Sequence, residues 1–171
     1  ERAFLHFNRF GRRMAVKSEG RHDLFHVTRP TPAFVKGAAN IYTIHDIVPL
    51  RLPYATLDNK KYFYTMIRHL VKEADHIVTV SEHTRRDVQE FFDIPDNRIT
   101  NTWQSVSLDE ALVSTSDDVV ARDIENRYGL AFKEYFLFLG AVEPKKNISR
   151  LVEAYAASGS TRPLILVGGL G

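Results

Sequence analysis

The chain has 171 residues, 44% of them hydrophobic and 26% charged, the balance of a globular protein that buries a core. Its 23 basic and 21 acidic residues leave a net charge of +2 with no long basic run, which argues against nucleic acid as a partner. The absence of cysteine excludes disulfide staples, a thiolate nucleophile and cysteine-based zinc sites, and suits a reducing compartment. No apolar run is long enough to span a bilayer, and ERAFLHFNRF lacks the apolar core of a signal peptide, so a cytoplasmic location is expected.

Residues 3–14 place Ala3, Phe4, Phe7, Phe10 and Met14 at helical spacing opposite Arg2, Arg9, Arg12 and Arg13, which predicts an amphipathic helix packed on a sheet. A sharper reading makes this basic, aromatic helix a peripheral contact with an anionic membrane surface, with Lys17 and Arg21 extending the positive stretch. Asp23 to Val27 predicts a strand, and Pro30 and Pro32 then force a loop because neither has an amide donor. Ile41 to Ile44 is the next strand. Residues 60–74 carry Phe63, Met66, Ile67, Leu70, Val71 and Ala74 in the pattern of a helix with one buried face.

His76 to Val80 is β-branched and apolar, and Ser81 offers an N-cap hydroxyl to a helix bearing Val88, Phe91 and Phe92. A further strand is expected from Arg98 to Trp103, and the Ser/Asp-rich stretch 105–118 reads as a connection between domains, 1–115 and 116–171. Residues 118–128 predict a helix stopped by Gly129. A βαβ unit follows: strand Tyr135 to Leu139, a helix with Ile148, Leu151, Val152, Tyr155 and Ala156 on one face, and strand Pro163 to Val167. Apolar, non-alternating strands between helices argue for parallel sheets covered on both faces.

In an open α/β sheet, ligands bind beyond the carboxyl ends of the strands, and His45 and Asp46 stand just after such a strand. Position alone leaves two readings open, a ligand role or a histidine that bonds a neighbouring loop beside an aspartate that caps a turn. The second candidate is GAVEPKKNIS, residues 140–149, between strand and helix. A helix start presents free amides and a positive dipole to an anion, and Lys145 and Lys146 add charge there. The plainer alternative is a solvated loop with Asn147 as N-cap.

TIHDIVPLRLP, ADHIVTVSEHTRRDV and YFLFLGAVEPKKNISRLVEAY occur in the order and spacing seen in family 4 glycosyltransferases, which the chain resembles over most of residues 23–171. The resemblance implies an α/β fold of the GT-B type, two Rossmann-like parallel-sheet domains, both expected to be only partly represented here. It implies a retaining enzyme that moves a mannosyl or similar hexosyl group from a nucleotide-diphosphate sugar to a glycan or lipid-linked acceptor. No metal or other cofactor is expected, because protein cations and helix amides neutralise the departing diphosphate. Lys146 then contacts that diphosphate with Lys145 beside it, and Glu143, Asn147 and Gly140 shape the donor loop. His45 faces the donor sugar, and Asp46 orients its loop. Polysaccharide synthesis on the inner face of a membrane is the setting implied.

The sequence also departs from the family pattern. Ala141 and Val142 stand where many relatives carry an Arg, so a second diphosphate cation is missing. The glycine-rich acceptor loop is expected before residue 1 and the Glu-x7-Glu motif beyond residue 171, so residues 1–171 alone are expected to be inactive or nearly so. A non-catalytic nucleotide-sugar-binding or scaffolding module of the same fold is the rival reading. A nicotinamide oxidoreductase is disfavoured, since no strand end supplies G-x-G-x-x-G and GGLG at 168–171 has no helix after it. His22 with His26, and His69, His76 and His83, lack the carboxylate partners of a metal site.

Overall fold

A computed structural model describes residues 1–169, so the last two residues of GGLG lie outside it. The chain forms two compact units, Glu1–Ser105 and Val106–Gly171. In the first, α1 (Arg2–Phe10) buries Ala3 and Phe7, and the Phe7 ring meets Tyr62 and His69 edge-on at 5.9 and 5.4 Å. The helix stops earlier than its apolar spacing predicts. Gly11 adopts the left-handed conformation at φ 65° and its N–H closes on the Phe7 carbonyl, which releases Met14 into a strand and leaves Phe10 54% exposed.

Four parallel strands make the first sheet: β2 (Leu24–Val27), β4 (Ala39–Ile44), β5 (His76–Thr79) and β6 (Ile99–Asn101), in the order β2-β4-β5-β6. A separate two-residue ladder joins β1 (Met14–Ala15) to β3 (Ala33–Phe34), where the prolines predict only loop. Tyr42, Thr43 and Ile44 are all buried, so both faces of β4 are covered, as the unbroken apolar run requires. The core joins Phe7, Tyr42, Ile44 and Ile47 to Met66, Ile67, Leu70 and Val71 of α3 (Lys60–Glu73), and to Val88 of α4 (Glu82–Phe92). Asn40 is buried with its amide satisfied: Oδ1 accepts from Val35 N–H, and Nδ2 donates to the carbonyls of Val35 and Ala38.

The last predicted strand of this unit is shorter than its sequence suggests. Pairing ends at Asn101, and Trp103 takes a left-handed backbone at φ 58°. The short α2 (Val48–Arg51) belongs to the first unit; in the second unit, the short α5 (Glu110–Val113) lies inside the stretch read as connection, and α6 (Asp117–Tyr128) is closed by Gly129 in the left-handed conformation. β7 (Phe136–Leu139), α7 (Ile148–Ser158) and β8 (Leu164–Val167) complete the predicted βαβ unit with parallel pairing. Covering of both faces does not extend to this sheet: Phe136, Leu137, Leu139, Leu166 and Val167 are all exposed.

Candidate functional site

Parallel pairing brings the carboxyl ends of β2, β4, β5 and β6 to one edge. His45 and Asp46 leave β4 there and are solvent-exposed. His45 Nε2 lies 2.8 Å from the Thr28 carbonyl oxygen beyond β2. A carbonyl only accepts, so Nε2 carries a proton, and in the neutral imidazole Nδ1 is then the free acceptor. Asp46 Oδ1 accepts from the Val48 N–H at 3.1 Å and turns the chain into α2, whose Pro49 is buried. Both residues thus have the loop-holding contacts that the plainer sequence reading assigned them.

This turn is tied to α4 at both ends. The Thr84 hydroxyl, buried, donates to the His45 carbonyl at 3.0 Å, while the Ser81 hydroxyl caps the helix by accepting the Thr84 N–H at 3.0 Å. At the other end Arg51 Nε donates to Asp87 Oδ1 at 2.9 Å, pairs with Glu90, and lies over the Phe91 ring at 4.8 Å from its centre. Its charged form is favoured above the ordinary arginine range first by the bonds to Asp87 and Glu90. Sequence reading found the Ser81 cap but not Thr84 or Arg51. Thr84 sits three residues after a capping serine, a spacing that marks the helix start and says nothing of a partner on another strand.

In the second unit, Gly140 ends β7 and donates its N–H to the Val167 carbonyl at 2.9 Å. Gly168 follows β8 at φ 157°, and a Cβ there would lie 1.9 Å from the Gly140 oxygen. The missing side chain at Gly168 therefore lets the two strand ends run at backbone contact. Past them, Glu143 pairs with Lys145 at 3.3 Å and accepts the Lys146 N–H on its carbonyl at 3.0 Å. The Lys146 side chain is exposed and has no ion pair among the described residues. Asn147 stands at the start of α7, but its side chain makes no cap bond; its left-handed backbone, φ 53°, turns the chain into the helix instead.

The six other histidines are engaged separately. His26 meets Thr43 Oγ1 at 2.8 Å, His69 meets Glu73 at 2.8 Å, His76 meets Thr100 Oγ1 at 2.9 Å, His22 meets Ser18 Oγ at 2.5 Å, His83 meets Asp87 at 3.6 Å, and the His6 ring lies 4.8 Å from that of Phe10. Among the described residues no group of three or more His, Cys, Asp or Glu could hold a metal ion, and no helix is long and apolar enough to cross a membrane.

Parallel strands alternating with helices, with polar turns at the carboxyl ends, are the Rossmann-like arrangement of a GT-B glycosyltransferase domain. The profile of Glycosyltransferase Family 4 matches residues 2–108, and the chain belongs to that family. It is similar to O-antigen chain mannosyltransferase B of Escherichia coli, 32% identical over 133 residues, covering 75% of this chain and 34% of the relative. It is also similar to the serotype-specific mannosyltransferase WbdA of Escherichia coli, 29% identical over 81% of this chain and 17% of the relative. A third relative is O-antigen chain mannosyltransferase RfbU of Salmonella typhimurium, 28% identical over 74% of this chain and 31% of the relative. The chain therefore spans about a third or less of the length of these relatives.

Proposed function

We propose that the full-length protein is a retaining glycosyltransferase that moves a mannosyl or similar hexosyl group from a nucleotide-diphosphate sugar to a glycan or lipid-linked acceptor in polysaccharide synthesis. The observation that carries the reading is the rigid His45–Asp46 turn at the carboxyl edge of the first sheet, fixed by Thr84 and Arg51. A neutral imidazole whose Nε2–H is held by the Thr28 carbonyl leaves Nδ1 to accept a hydrogen bond from a sugar hydroxyl without reorganising. Lys146 and the free amides opening α7 meet the diphosphate, with Lys145, Asn147, Glu143 and Gly140 shaping that loop. The chemistry needs no metal in this scheme, because those cations and amides neutralise the leaving group. The work is done at the cytoplasmic face of a membrane, and residues 1–171 alone transfer little or no sugar.

The test is transfer of radiolabelled mannose from GDP-mannose to a glycan acceptor by the full-length protein and by its His45→Ala variant. Loss of turnover by about a hundredfold or more, with donor affinity changed little, is the outcome expected of a general catalytic contact. Equal turnover in both proteins removes His45 from the site.

One observation favours a second reading, a non-catalytic nucleotide-sugar-binding or scaffolding module. Lys145 is already paired with Glu143, and Ala141 supplies no charge, so Lys146 stands with less cationic support than a diphosphate site would use. Calorimetry that shows nucleotide-sugar binding without turnover by the full-length protein would select this reading.

A further inference from the structure

Trp103 is the chain's single tryptophan, 63% exposed, and it holds a left-handed backbone at φ 58°. A lone exposed aromatic is ordinary; a bulky residue in that conformation is not, and it persists only where surrounding bonds fix it. They do so here. The Trp103 N–H donates to Asn101 Oδ1 at 3.0 Å, and Asn101 Nδ2 donates to Glu82 Oε1 at 3.0 Å. The preceding amide, Thr102 N–H, donates to the Thr79 carbonyl at 3.0 Å. The indole is thus carried on a braced turn rather than on a slack loop.

The sheet register says where that turn is. Ile44 pairs with Thr79 and Thr79 with Asn101, so the residues after Ile44 and after Asn101 leave the same edge of the sheet. The backbones that launch His45 and Trp103 are two strand spacings apart, roughly 9–10 Å, with the Ser81 cap between them. Ligands of parallel α/β sheets bind at this edge, and an exposed indole offers a broad apolar face with one polar N–H. A pyranose ring is a flat ligand with one apolar face of C–H groups and a rim of hydroxyls, and it matches such a surface.

We propose that Trp103 is a stacking platform for a pyranose ring, a saccharide subsite on the same strand edge as His45; the inference rests on the transferase reading for its ligand class. The ring could belong to an acceptor glycan or to the donor sugar, and the experiment separates them. Because the tryptophan is unique, the emission of the 171-residue chain reports on this position alone. A mannose disaccharide, GDP-mannose and GDP are titrated in turn. A blue shift with the disaccharide supports an acceptor platform, and a shift with GDP-mannose but with neither GDP nor disaccharide supports a donor-sugar platform. No shift with either sugar, or the same shift with GDP alone, overturns the proposal.

The variant arm separates binding from folding. Trp103→Gly accepts the left-handed backbone without strain, so its thermal midpoint should not fall, while saccharide affinity by calorimetry should weaken about tenfold or more. Trp103→Phe should retain affinity to within about threefold, since it keeps an aromatic face. Unchanged affinity in Trp103→Gly overturns the proposal. If the full-length protein transfers sugar while emission never moves, this inference falls and the transferase reading stands. If emission shifts with saccharide but nothing is transferred, the reverse holds.

Discussion

The hydroxyl of Thr84 donates to the carbonyl oxygen of His45 across 3.0 Å, joining the first turn of α4 to the end of β4. The bond acts on the backbone of the histidine, so it sets where the imidazole is launched without touching it. Thr84→Val keeps the shape, leaves a carbonyl without its partner, and should cost about 1–3 kcal/mol in urea unfolding. If the bond also positions His45 for chemistry, turnover of the full-length protein should fall more than donor KM rises, and Thr84→Ser should restore both.

Asn40 offers a sharper stability test. Its buried amide makes three side-chain bonds to the loop Val35–Ala38, so Asn40→Ala should lose about 2–4 kcal/mol, read as a lower urea midpoint with an unchanged slope. Asn40→Asp should be worse, because a carboxylate cannot donate to the carbonyls of Val35 and Ala38.

Tyr42 makes stability fall at high pH. Burial, foremost, raises the phenol above its ordinary value of 10.0, despite the opposing bond from Arg13. Burial raises Tyr62 as well. The unfolded chain releases these protons first, so it gains relative to the folded state as pH rises. The contribution is complete below about pH 10 and disappears as pH climbs through the folded values. Tyr42→Phe should flatten the decline of thermal midpoint as pH rises above the ordinary phenol value of about 10, and an unaltered decline would assign it to other groups.

Lys146 and Lys145 should separate in a binding assay. Lys146→Ala is expected to weaken nucleotide-diphosphate binding by about 1.5–3 kcal/mol, the worth of a charge-assisted bond, in calorimetry on the full-length protein. Glu143→Gln removes the partner that holds Lys145 at 3.3 Å and should strengthen binding slightly if that lysine then turns to the ligand. Identical affinities in all three proteins would move the phosphate site elsewhere.

Gly168→Ala tests the contact of the two strand ends. Its Cβ would overlap the Gly140 oxygen, a backbone atom that cannot rotate aside, so a loss of about 1–3 kcal/mol or more is expected by chemical unfolding. Gly159→Ala meets no neighbouring atom and differs only in the left-handed backbone strain, which makes it the control.

Features written in local spacing were legible in the sequence. The stripe Met66, Ile67, Leu70, Val71 follows from the helical repeat alone, and Gly129 stops α6 because a left-handed residue there closes on Glu125. Features that depend on a distant partner were not. The ladder of Met14–Ala15 with Ala33–Phe34 is too short to show a period, and it exists only because Gly11 ends α1 in time. Trp103 read as strand because aromatic residues favour strands, yet the Asn101 side chain takes its amide out of the ladder. At the candidate site, the positions of His45 and Asp46 at a strand end were readable, while Thr84, Arg51 and the missing Asn147 cap required the folded chain.

The all-parallel order β2-β4-β5-β6 also governs how the first unit is made. No two of its strands are joined by a hairpin, so each pairing waits for a loop or helix-long stretch of chain to be drawn in. Such closure is entropically costly before any ladder bond rewards it, and folding of this unit should be slow for its size, with α3 and α4 helical before the sheet is complete.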